Sequence, residues 1–254
     1  METIKQRLQR GEAVNGTFLS LGNAIATEIV ANAGFDWVMI DLEHGMGGEA
    51  DVLRQLQCVN SDRVSSIIRV ESFHRQRINR VLDFGAQGIM CPRIENAAEV
   101  ELVIQAMRYP PEGRRGVAKL IRASEYGTNF NDYRNRIAKD LLCVIQIETV
   151  QAVENISQIA AVPGVDVLFI GPSDLSMALG IFGELQHPLF GETVDKIIQA
   201  AKNAGKQVGI LLSDPADHKR YFEKGIRFFA YGTDAYFLNQ GARQAAESLR
   251  KPVA

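Results

Sequence analysis

Eight short apolar runs, each followed by a stretch with helical periodicity, limit the folds open to this chain more than any other feature of its sequence. The predicted strands are residues 14–20, 37–41, 64–70, 88–91, 142–148, the first part of 165–176, 207–212 and 228–231. The predicted helices are residues 26–33, 49–59, 75–84, 97–107, 150–160, 190–204, 214–224 and 235–250. Eight strand-then-helix units predict an α/β fold, a closed (β/α)₈ or TIM barrel.

An open, doubly wound sheet is the alternative that such units also allow. It is disfavoured because no Gly-x-Gly-x-x-Gly turn follows a predicted strand, and open sheets use that turn to hold a dinucleotide pyrophosphate. The length of 254 residues suits one α/β barrel, and no linker separates the units. Turn-forming residues break the rhythm only over 108–139, which predicts a long excursion. We therefore predict a single barrel domain over residues 1–254.

Composition restricts the partners and the location of the protein. A net charge of -2 and a charged fraction of 23% are ordinary for a soluble globule, so we expect no nucleic-acid partner and no membrane partner. The first ten residues predict a short amphipathic helix without the apolar core of a signal peptide, and the predicted location is cytoplasmic. Cys58, Cys91 and Cys143 are scattered, which favours reduced thiols over a disulfide frame or a zinc site.

Polar side chains collect where the predicted strands end. Catalytic groups of a (β/α)₈ barrel project from the C-terminal strand ends, so position alone nominates these residues. They are Asp41, Glu43 and His44 after the second strand, Arg69 after the third, Gln146 and Glu148 after the fifth, and Gly171, Ser173 and Asp174 after the sixth. Together they offer acids for a metal, an imidazole, and a guanidinium that can face an oxyanion.

Glu148 and Asp174 each follow an apolar run, and neighbouring strands would bring them together. Two carboxylates at the mouth of a parallel sheet repel each other unless a proton or cation lies between them, so a hard divalent ion is the natural third party. The alternative is that both acids act as helix caps in the first turn, where Asp and Glu are common. His44 and Arg69 have alternatives too, because His44 could cap its own loop and Arg69 could pair with Glu71.

The lysines argue against imine chemistry at the mouth of the predicted barrel. A Schiff-base mechanism needs a desolvated lysine at a strand end. Every lysine falls on a predicted helix or turn except Lys119, which lies in the long excursion and remains the one candidate. The balance favours a metal over an imine as the electron sink.

Five ordered motifs carry a family resemblance that covers most of the chain. They are Gly34-Phe-Asp-Trp37, Asp41-x-Glu43-His44, Arg108-Tyr-Pro-Pro-x-Gly113-x-Arg115-Gly116, Gln146-Ile-Glu148 and Gly171-Pro-Ser-Asp174-Leu-Ser176. With these motifs the sequence resembles the HpcH/HpaI aldolase family, the class II pyruvate aldolases that include 2-keto-3-deoxy-sugar-acid aldolases. Five motifs in order are far more specific than any one of them.

The resemblance implies a divalent metal, magnesium or manganese with cobalt as a further candidate, held by Glu148 and Asp174. Pyruvate would complete the metal shell, oriented by Gln146, Gly171 and the backbone amides around Ser173. Arg69 matches the family arginine that faces the C2 oxygen of pyruvate.

His44 matches the catalytic histidine of the family. Its family partner is an aspartate from a neighbouring subunit, here Asp83 in Val81-Leu-Asp-Phe-Gly85, and Leu211 falls where the family packs an aliphatic residue near the pyruvate methyl. A homo-oligomer is implied, a hexamer built as a trimer of dimers. The sequence departs from the family at Arg93 and at residues 116–123, which look one residue short, where the acceptor aldehyde would approach.

The predicted function is therefore a metal-dependent aldolase, a carbon-carbon lyase. It would reversibly cleave a 4-hydroxy-2-oxo acid to pyruvate and an aldehyde through a pyruvate enolate held by the metal and Arg69, while His44 with Asp83 moves the proton. Alternatives on the same scaffold are a CoA-ester lyase and an oxaloacetate decarboxylase. From another class, a non-catalytic barrel that binds 2-oxo acids is disfavoured because it would not need an intact His, Arg and acid set.

Overall fold

Eight parallel strands close into a barrel in the computed structural model, which describes residues 2–250. The strands are β1 Val14–Leu19, β2 Trp37–Asp41, β3 Ser65–Arg69, β4 Gly88–Cys91, β5 Leu142–Ile147, β6 Val167–Ile170, β7 Gln207–Leu212 and β8 Phe228–Thr233. Each strand pairs with the next in sequence, and β8 pairs with β1 to close the ring. The predicted (β/α)₈ barrel is confirmed, and the open-sheet alternative is wrong.

Helices precede, connect and follow the strands. They are α1 Ile4–Gln9, α2 Ala24–Ala31, α3 Glu49–Cys58, α4 Arg75–Asp83, α5 Ala97–Met107, α6 Phe130–Asp140, α7 Val150–Glu154, α8 Ile156–Ala161, α9 Pro172–Ala178, α10 Pro188–Asn203, α11 His218–Glu223 and α12 Asp234–Arg250. Two 3₁₀ helices, Arg122–Gly127 and Pro215–Asp217, complete the connections. Within residues 2–250 no helix has both the length and the apolar character needed to cross a membrane.

Three connections differ from their predictions. The predicted helix over 150–160 is divided at Asn155, the residue that ends α7 and precedes α8. The excursion over 108–139 contains a helix of its own, α6. A short helix, α9, begins directly after β6, so Asp174 lies in the first turn of a helix rather than in a loop. Pro172 at the start of α9 explains this last difference, because proline is favoured in the first helical turn.

Alternation along the strands divides the apolar side chains into two cores. Inward residues fill the barrel, and they include Met39, Ile67, Val144 and Phe169. Outward residues of the strands form a larger cluster with the helices. Because successive side chains of a strand point to opposite faces, the residue two positions beyond an inward residue also points inward. This rule decides which polar groups reach the mouth of the barrel.

The base of the barrel is filled tightly around one aromatic pair. The Trp37 and Phe228 rings stack with centroids 4.2 Å apart. Gly16 lies against this stack, and a Cβ atom at that position would fall 2.1 Å from the Trp37 ring. The barrel is therefore a packed core below its mouth rather than an open pore.

Candidate active site

The mouth of the barrel receives its polar groups from alternate positions on adjacent strands. Met39, Ile67 and Val144 belong to the inner core, and the residues two positions further on are Asp41, Arg69 and Gln146. Asp41 and Arg69 are also direct partners in the pairing of β2 with β3. The three polar side chains therefore point inward at the C-terminal rim, as the sequence predicted.

Arg69 is held in a buried ion pair with Asp41. The guanidinium Nε donates to Asp41 Oδ1 at 2.9 Å and an Nη2 hydrogen donates to Asp41 Oδ2 at 2.6 Å. Only 8% of Arg69 and 5% of Asp41 are exposed. Such a two-bond fork fixes the plane of the guanidinium as well as its position. The third nitrogen, Nη1, lies 3.0 Å from Glu43 Oε2.

The charge of Arg69 is preserved despite its burial. Burial alone would lower the pKa of Arg69, but the hydrogen bonds and charge of Asp41, with Glu43 and Glu148, raise it. The guanidinium also lies over the Phe18 ring, 5.0 Å from its centroid. The alternative partner, Glu71, instead pairs with Arg77 at 2.6 Å. Arg69 is thus a mouth residue and not a surface ion pair.

Glu148 is buried and oriented by two donors. The backbone N–H of Arg93 donates to Glu148 Oε1 at 2.7 Å, and the Gln146 amide donates to Oε2. Burial raises the pKa of Glu148, and the charges of Glu43 and Asp174 add to that effect. The three carboxylates therefore influence one another electrostatically. A cation among them would lower the free energy of the ionised form.

Gly171 lets the chain pass close to this carboxylate. A Cβ atom at position 171 would lie 2.9 Å from Gln146 Nε2 and 3.0 Å from Glu148 Oε2. Contacts this short are tighter than packed atoms tolerate. The backbone that follows β6 is thus held against Gln146 and Glu148, and only glycine fits there without displacing them.

The helix-cap alternative is wrong for Glu148, whereas Asp174 does lie in the first turn of a helix, as that alternative predicts. The N-cap of α7 is Thr149, whose side chain accepts the N–H of Ala152, so Glu148 caps no helix. Asp174 is an exposed residue in the first turn of α9, and within residues 2–250 no side chain caps that helix. Ser173 precedes it and is exposed as well. Both carboxylates are left available for a ligand.

His44 lies at the rim with two-thirds of its side chain exposed. Its Nε2 is 3.8 Å from Glu43 Oε2, and its side chain is 67% accessible. The loop around it is held by Asp41, whose Oδ1 accepts the backbone N–H groups of Glu43 and His44. The alternative in which the imidazole caps its own loop is therefore wrong, because Asp41 performs that task.

The donor set suits a hard divalent cation. Magnesium and manganese bind carboxylate oxygens and keep several positions for water or substrate. Glu148 and Asp174 supply such oxygens, and burial, with the charges of Glu43 and Asp174, raises the pKa of Glu148. Within residues 2–250 no group of three or more His, Cys, Asp or Glu residues is arranged to hold a metal. An ion held here would thus take its remaining ligands from substrate and water.

Comparisons with known proteins agree with a site for carbon-carbon bond chemistry at the mouth of the barrel. A family model described as HpcH/HpaI aldolase/citrate lyase matches residues 15–240. The chain belongs to this family. The motif resemblance is therefore confirmed, and so is the predicted enzyme class, a carbon-carbon lyase.

Relatives of the HpcH/HpaI chain extend over nearly its whole length. A hydroxypyruvate/pyruvate aldolase of Paraburkholderia phytofirmans is 36% identical over 253 residues, 97% of this chain and 97% of that protein. A 4-hydroxy-2-oxo-heptane-1,7-dioate aldolase of Klebsiella pneumoniae is 39% identical over 244 residues, 96% of this chain and 92% of that protein. The crystal structure of a family member from Burkholderia cenocepacia matches with a TM-score of 0.92 at 35% identity, covering 98% of this chain and 99% of that one.

Asp83 lies at the opposite end of the barrel from His44 within one HpcH/HpaI chain. It is the last residue of α4, which runs back from the mouth, and Gly88 begins β4 only five positions later. Its Oδ1 accepts a hydrogen bond from Arg115 Nη2 at 2.7 Å. One chain therefore does not bring His44 and Asp83 together, and the partnership across subunits stays a prediction.

Residues 116–123 are also placed away from the mouth within one chain. Gly116 lies beside Asn79 on α4, and Arg122 donates to the carbonyl of Phe84 just past the end of that helix. The expectation that this segment borders the approach of the aldehyde is therefore not met inside a single chain. Arg93 does lie at the mouth, because its backbone N–H binds Glu148.

The remaining candidates divide between the mouth and the surface. Leu211 on β7 packs on the inner core from the mouth side, half-buried, as an aliphatic residue beside a small ligand would. Lys119 is exposed in the connection after α5 and does not follow a strand. Lys251 lies outside the described residues. No strand end in the described chain therefore carries a lysine suited to imine formation.

Sequence reasoning missed the part played by the backbone of Arg93. Arg93 has a positive φ of 52°, unusual for a residue other than glycine, and this conformation accompanies the N–H bond to Glu148. No residue type in the sequence signals such a conformation. The orienting task of Asp41 was more accessible, because an acid that ends one strand beside an arginine that ends the next predicts an ion pair.

Proposed function

We propose that the protein is an aldolase that reversibly cleaves a 4-hydroxy-2-oxo acid to pyruvate and an aldehyde. The observation that carries this proposal is a buried, fixed guanidinium at the mouth, Arg69, near enough to two carboxylates for charge to act between Arg69 and Glu148 and between Glu148 and Asp174. The names of the relatives, hydroxypyruvate/pyruvate aldolase and 4-hydroxy-2-oxo-heptane-1,7-dioate aldolase, support the same class of substrate.

Glu148 and Asp174 would hold a divalent ion, magnesium, manganese or cobalt. When bound, such an ion acts as a Lewis acid that polarises a carbonyl oxygen. The protein prepares for it by orienting Glu148 through Arg93 and Gln146. The carbonyl oxygen of the Gln146 amide is buried and has no hydrogen-bond partner among the described residues, so it is ready to accept a bond from a water or substrate hydroxyl.

Arg69 would face the C2 oxygen of the 2-oxo acid. Its guanidinium carries five N–H donors, and Asp41 uses only two of them. Negative charge grows on the C2 oxygen as the carbon-carbon bond breaks, so a fixed cation contributes more to the transition state than to substrate binding. Backbone N–H groups near Ser173 and the side chain of Leu211 would orient the carboxylate and the methyl group of pyruvate.

His44 would move the proton. In cleavage it accepts the proton of the 4-hydroxyl group, the C3–C4 bond breaks to release the aldehyde, and the bond electrons remain on the three-carbon fragment as the pyruvate enolate. The enolate then takes up a proton at C3 to give pyruvate, so the proton count balances. The exposure of His44 at the rim suits a group that exchanges protons with water or substrate.

A homo-oligomer would supply Asp83 as the partner of His44 from a neighbouring subunit. The final helix supports assembly, because every residue of α12 from 238 to 250 is exposed. Its Leu238 and Leu249 are 67% and 88% exposed, and Ile25 and Ile29 on α2 are 69% and 67% exposed. Exposed apolar side chains repeated on two neighbouring helices indicate a surface that a second copy covers.

The proposed function is tested by metal removal and trapping. We expect a chelator to abolish pyruvate release from 4-hydroxy-2-oxo acids, and added magnesium, manganese or cobalt to restore it. Borohydride with pyruvate should leave the protein mass unchanged, since no imine forms. Glu148→Gln and Asp174→Asn should weaken metal binding measured by calorimetry, while Glu101→Gln, an exposed acid on α5, should not. Activity that survives chelation, or covalent trapping on Lys119, would overturn the metal mechanism.

A further inference from the structure

Arg115 is a fully buried cation outside the mouth of the barrel. Its side chain has 0% accessible surface. The guanidinium lies between two aromatic faces, 4.7 Å from the centroid of the Tyr109 ring and 5.3 Å from that of Tyr133. It belongs to the segment after α5, and nothing in the proposed chemistry at the mouth uses it. A buried charge of this kind calls for an explanation.

Packing alone does not explain Arg115. Within residues 2–250 its Nε and Nη1 atoms have no hydrogen-bond partner, and its one ion pair is with Asp83. Burying a guanidinium with unpaired donors costs free energy, and apolar residues of similar size often replace a buried ion pair without loss of stability. The pair with Asp83 is therefore the feature that an apolar residue could not supply.

Everything around Arg115 is fixed. Its backbone N–H donates to the carbonyl of Arg108 at 2.8 Å. The Tyr133 hydroxyl reaches the carbonyl of Leu82 on α4, and the Tyr109 ring meets Phe130 edge to face at 6.2 Å. These contacts join the segment after α5 to α4 and α6. These contacts restrict the guanidinium, and its hydrogen bond in turn restricts the Asp83 carboxylate.

Asp83, in contrast, remains accessible. Its side chain keeps 26% of its surface, whereas that of Arg115 keeps none. The hydrogen bond from Arg115 occupies Oδ1, and the described residues make no hydrogen bond to Oδ2. Arg115 thus holds Asp83 through Oδ1 on the buried side of the pair, while Oδ2 on the exposed side can still accept a hydrogen bond. This is the arrangement expected of a carboxylate that is presented to another molecule.

We propose that Arg115 is the positioning residue for Asp83, holding one carboxylate oxygen so that the other can bind His44 of a neighbouring copy of this chain. The inference rests on the proposed function, because it assumes that Asp83 completes the site across the subunit interface. Arg115 does not touch substrate; it acts through Asp83. Lysine cannot take its place fully, since an ammonium lacks the planar fork that fits between two rings and still reaches a carboxylate.

Mixed oligomers test this inference. Two variants are expressed together with different affinity tags, and assemblies that carry both tags are purified and assayed for pyruvate release. His44→Ala mixed with Asp83→Asn should regain activity, because one site then combines an intact histidine with an intact aspartate. His44→Ala mixed with Arg115→Lys should regain activity for the same reason. Asp83→Asn mixed with Arg115→Lys should not, because both defects lie on the donating side of the interface.

Single variants set the scale of the effect. Asp83→Asn alone should lose about 10- to 100-fold in turnover, the usual cost of removing a carboxylate that orients a functional histidine. Arg115→Lys should lose less, and Arg114→Lys, the same change at the exposed neighbouring arginine, should keep wild-type turnover. Light scattering establishes that each variant assembles. Should Arg115→Lys fold poorly alone, expression beside His44→Ala still places it in mixed assemblies.

The outcomes separate two kinds of failure. If His44→Ala and Asp83→Asn do not complement each other, the cross-subunit site of the proposed function is wrong and the inference falls with it. If they complement but Arg115→Lys also complements Asp83→Asn, or keeps full activity alone, only the role of Arg115 is wrong. A general folding defect would be repaired by either partner, so repair by His44→Ala alone identifies positioning.

Discussion

Two buried arginines each pair with an aspartate, one inside the mouth of the barrel and one outside the strands, and they differ in how completely each arginine is paired. Arg69 meets Asp41 inside the mouth through two hydrogen bonds and lies near Glu43 as well. Arg115 meets Asp83 outside the strands through one hydrogen bond and leaves two nitrogens unpaired. Both guanidinium groups face aromatic rings, so their surroundings are otherwise similar.

The aspartates explain the difference between the pairs. Asp41 is as buried as its arginine, at 5% exposure, and its oxygens also hold the loop that carries His44. Asp83 keeps a quarter of its surface, at 26%. In the first pair the aspartate fixes the arginine, which is the group that would meet the substrate. In the second pair the arginine fixes the aspartate. An arginine–aspartate ion pair can thus hold either its arginine or its aspartate in place for function.

The comparison predicts unequal losses of stability from the same substitution. Arg69→Met strands Asp41 and Glu43 in a buried site, and removing one partner of a buried pair costs about 3–5 kcal/mol. Arg115→Met leaves Asp83 near solvent and fills its own space with an apolar side chain, so we expect a smaller cost, within the common range of about 0.5–3 kcal/mol. Urea unfolding at equal protomer concentration measures both.

A surface arginine provides the control for these losses. Arg77 pairs with Glu49 and Glu71 at partly exposed positions, and Arg77→Met should cost no more than about 1 kcal/mol. The loss at Arg69 should also shrink as the pH falls, because burial already raises the pKa of Glu43 and protonation removes the stranded charge. Equal losses at Arg69 and Arg115 would show that Asp83 is as confined as Asp41, and the contrast between the pairs would be lost.

The sequence predicted the barrel well because two strong periodicities specify it. Short apolar runs and helical stripes recur eight times, and the features missed were boundaries, the helix α6 inside the excursion and short helices such as α9. It also nominated Arg69, Gln146 and Glu148 through their positions at the C-terminal ends of predicted strands. The sequence could not reveal the hydrogen-bond partners of these side chains. The bond from the Arg93 backbone N–H to Glu148, for example, depends on a local backbone conformation that no residue type encodes.

Arg115 shows a second limit of sequence reasoning. The run Arg114-Arg115 suggests a solvated basic turn, yet Arg115 is buried and Arg114 is exposed. Residue type alone does not tell which of two adjacent arginines enters the protein; only the family motif, which names Arg115 and leaves position 114 open, distinguishes them. The partner, Asp83, lies 32 positions away in the sequence, and only the packing of the segment after α5 against α4 brings the two together.

After the losses of stability, the next largest expected effect is a loss of catalytic rate when Arg69 at the mouth is replaced. Arg69→Ala should lower turnover by about 10²- to 10³-fold, the usual cost of losing one donor to a developing oxyanion. Arg69→Lys keeps the charge but not the fork, so it should recover only part of the rate. The assays are aldol cleavage and exchange of the pyruvate methyl protons in deuterated water.

Folding must be checked beside these rates, because Arg69 also stabilises the barrel. Thermal melting of each variant separates lost structure from lost chemistry, and Arg77→Lys provides a charge-matched control on the surface. A folded Arg69→Ala protein that keeps both activities would mean that Arg69 does not stabilise the enolate. The pair of Arg69 with Asp41 would then have only a structural role, and it would no longer differ from the pair of Arg115 with Asp83 by serving the chemistry at the mouth.

The smallest expected effect is a gain of stability on removing a charge from the mouth. Burial raises the pKa of Glu148, so its ionised form costs stability at neutral pH, and this cost disappears below the ordinary glutamate pKa of about 4.3. In chelated protein, Glu148→Gln should therefore melt higher at pH 7, by roughly 2–4 °C for each kcal/mol gained, and equal the parent near pH 4. The amide introduced at position 148 can still accept the N–H of Arg93. It can also donate to the Gln146 carbonyl oxygen, which has no partner among the described residues, once the Gln146 side-chain amide flips. If Glu148→Gln instead melts at a lower temperature than the parent protein at pH 7, the ionised Glu148 stabilises the barrel. In that case this carboxylate does not lower the stability of the fold for the sake of function.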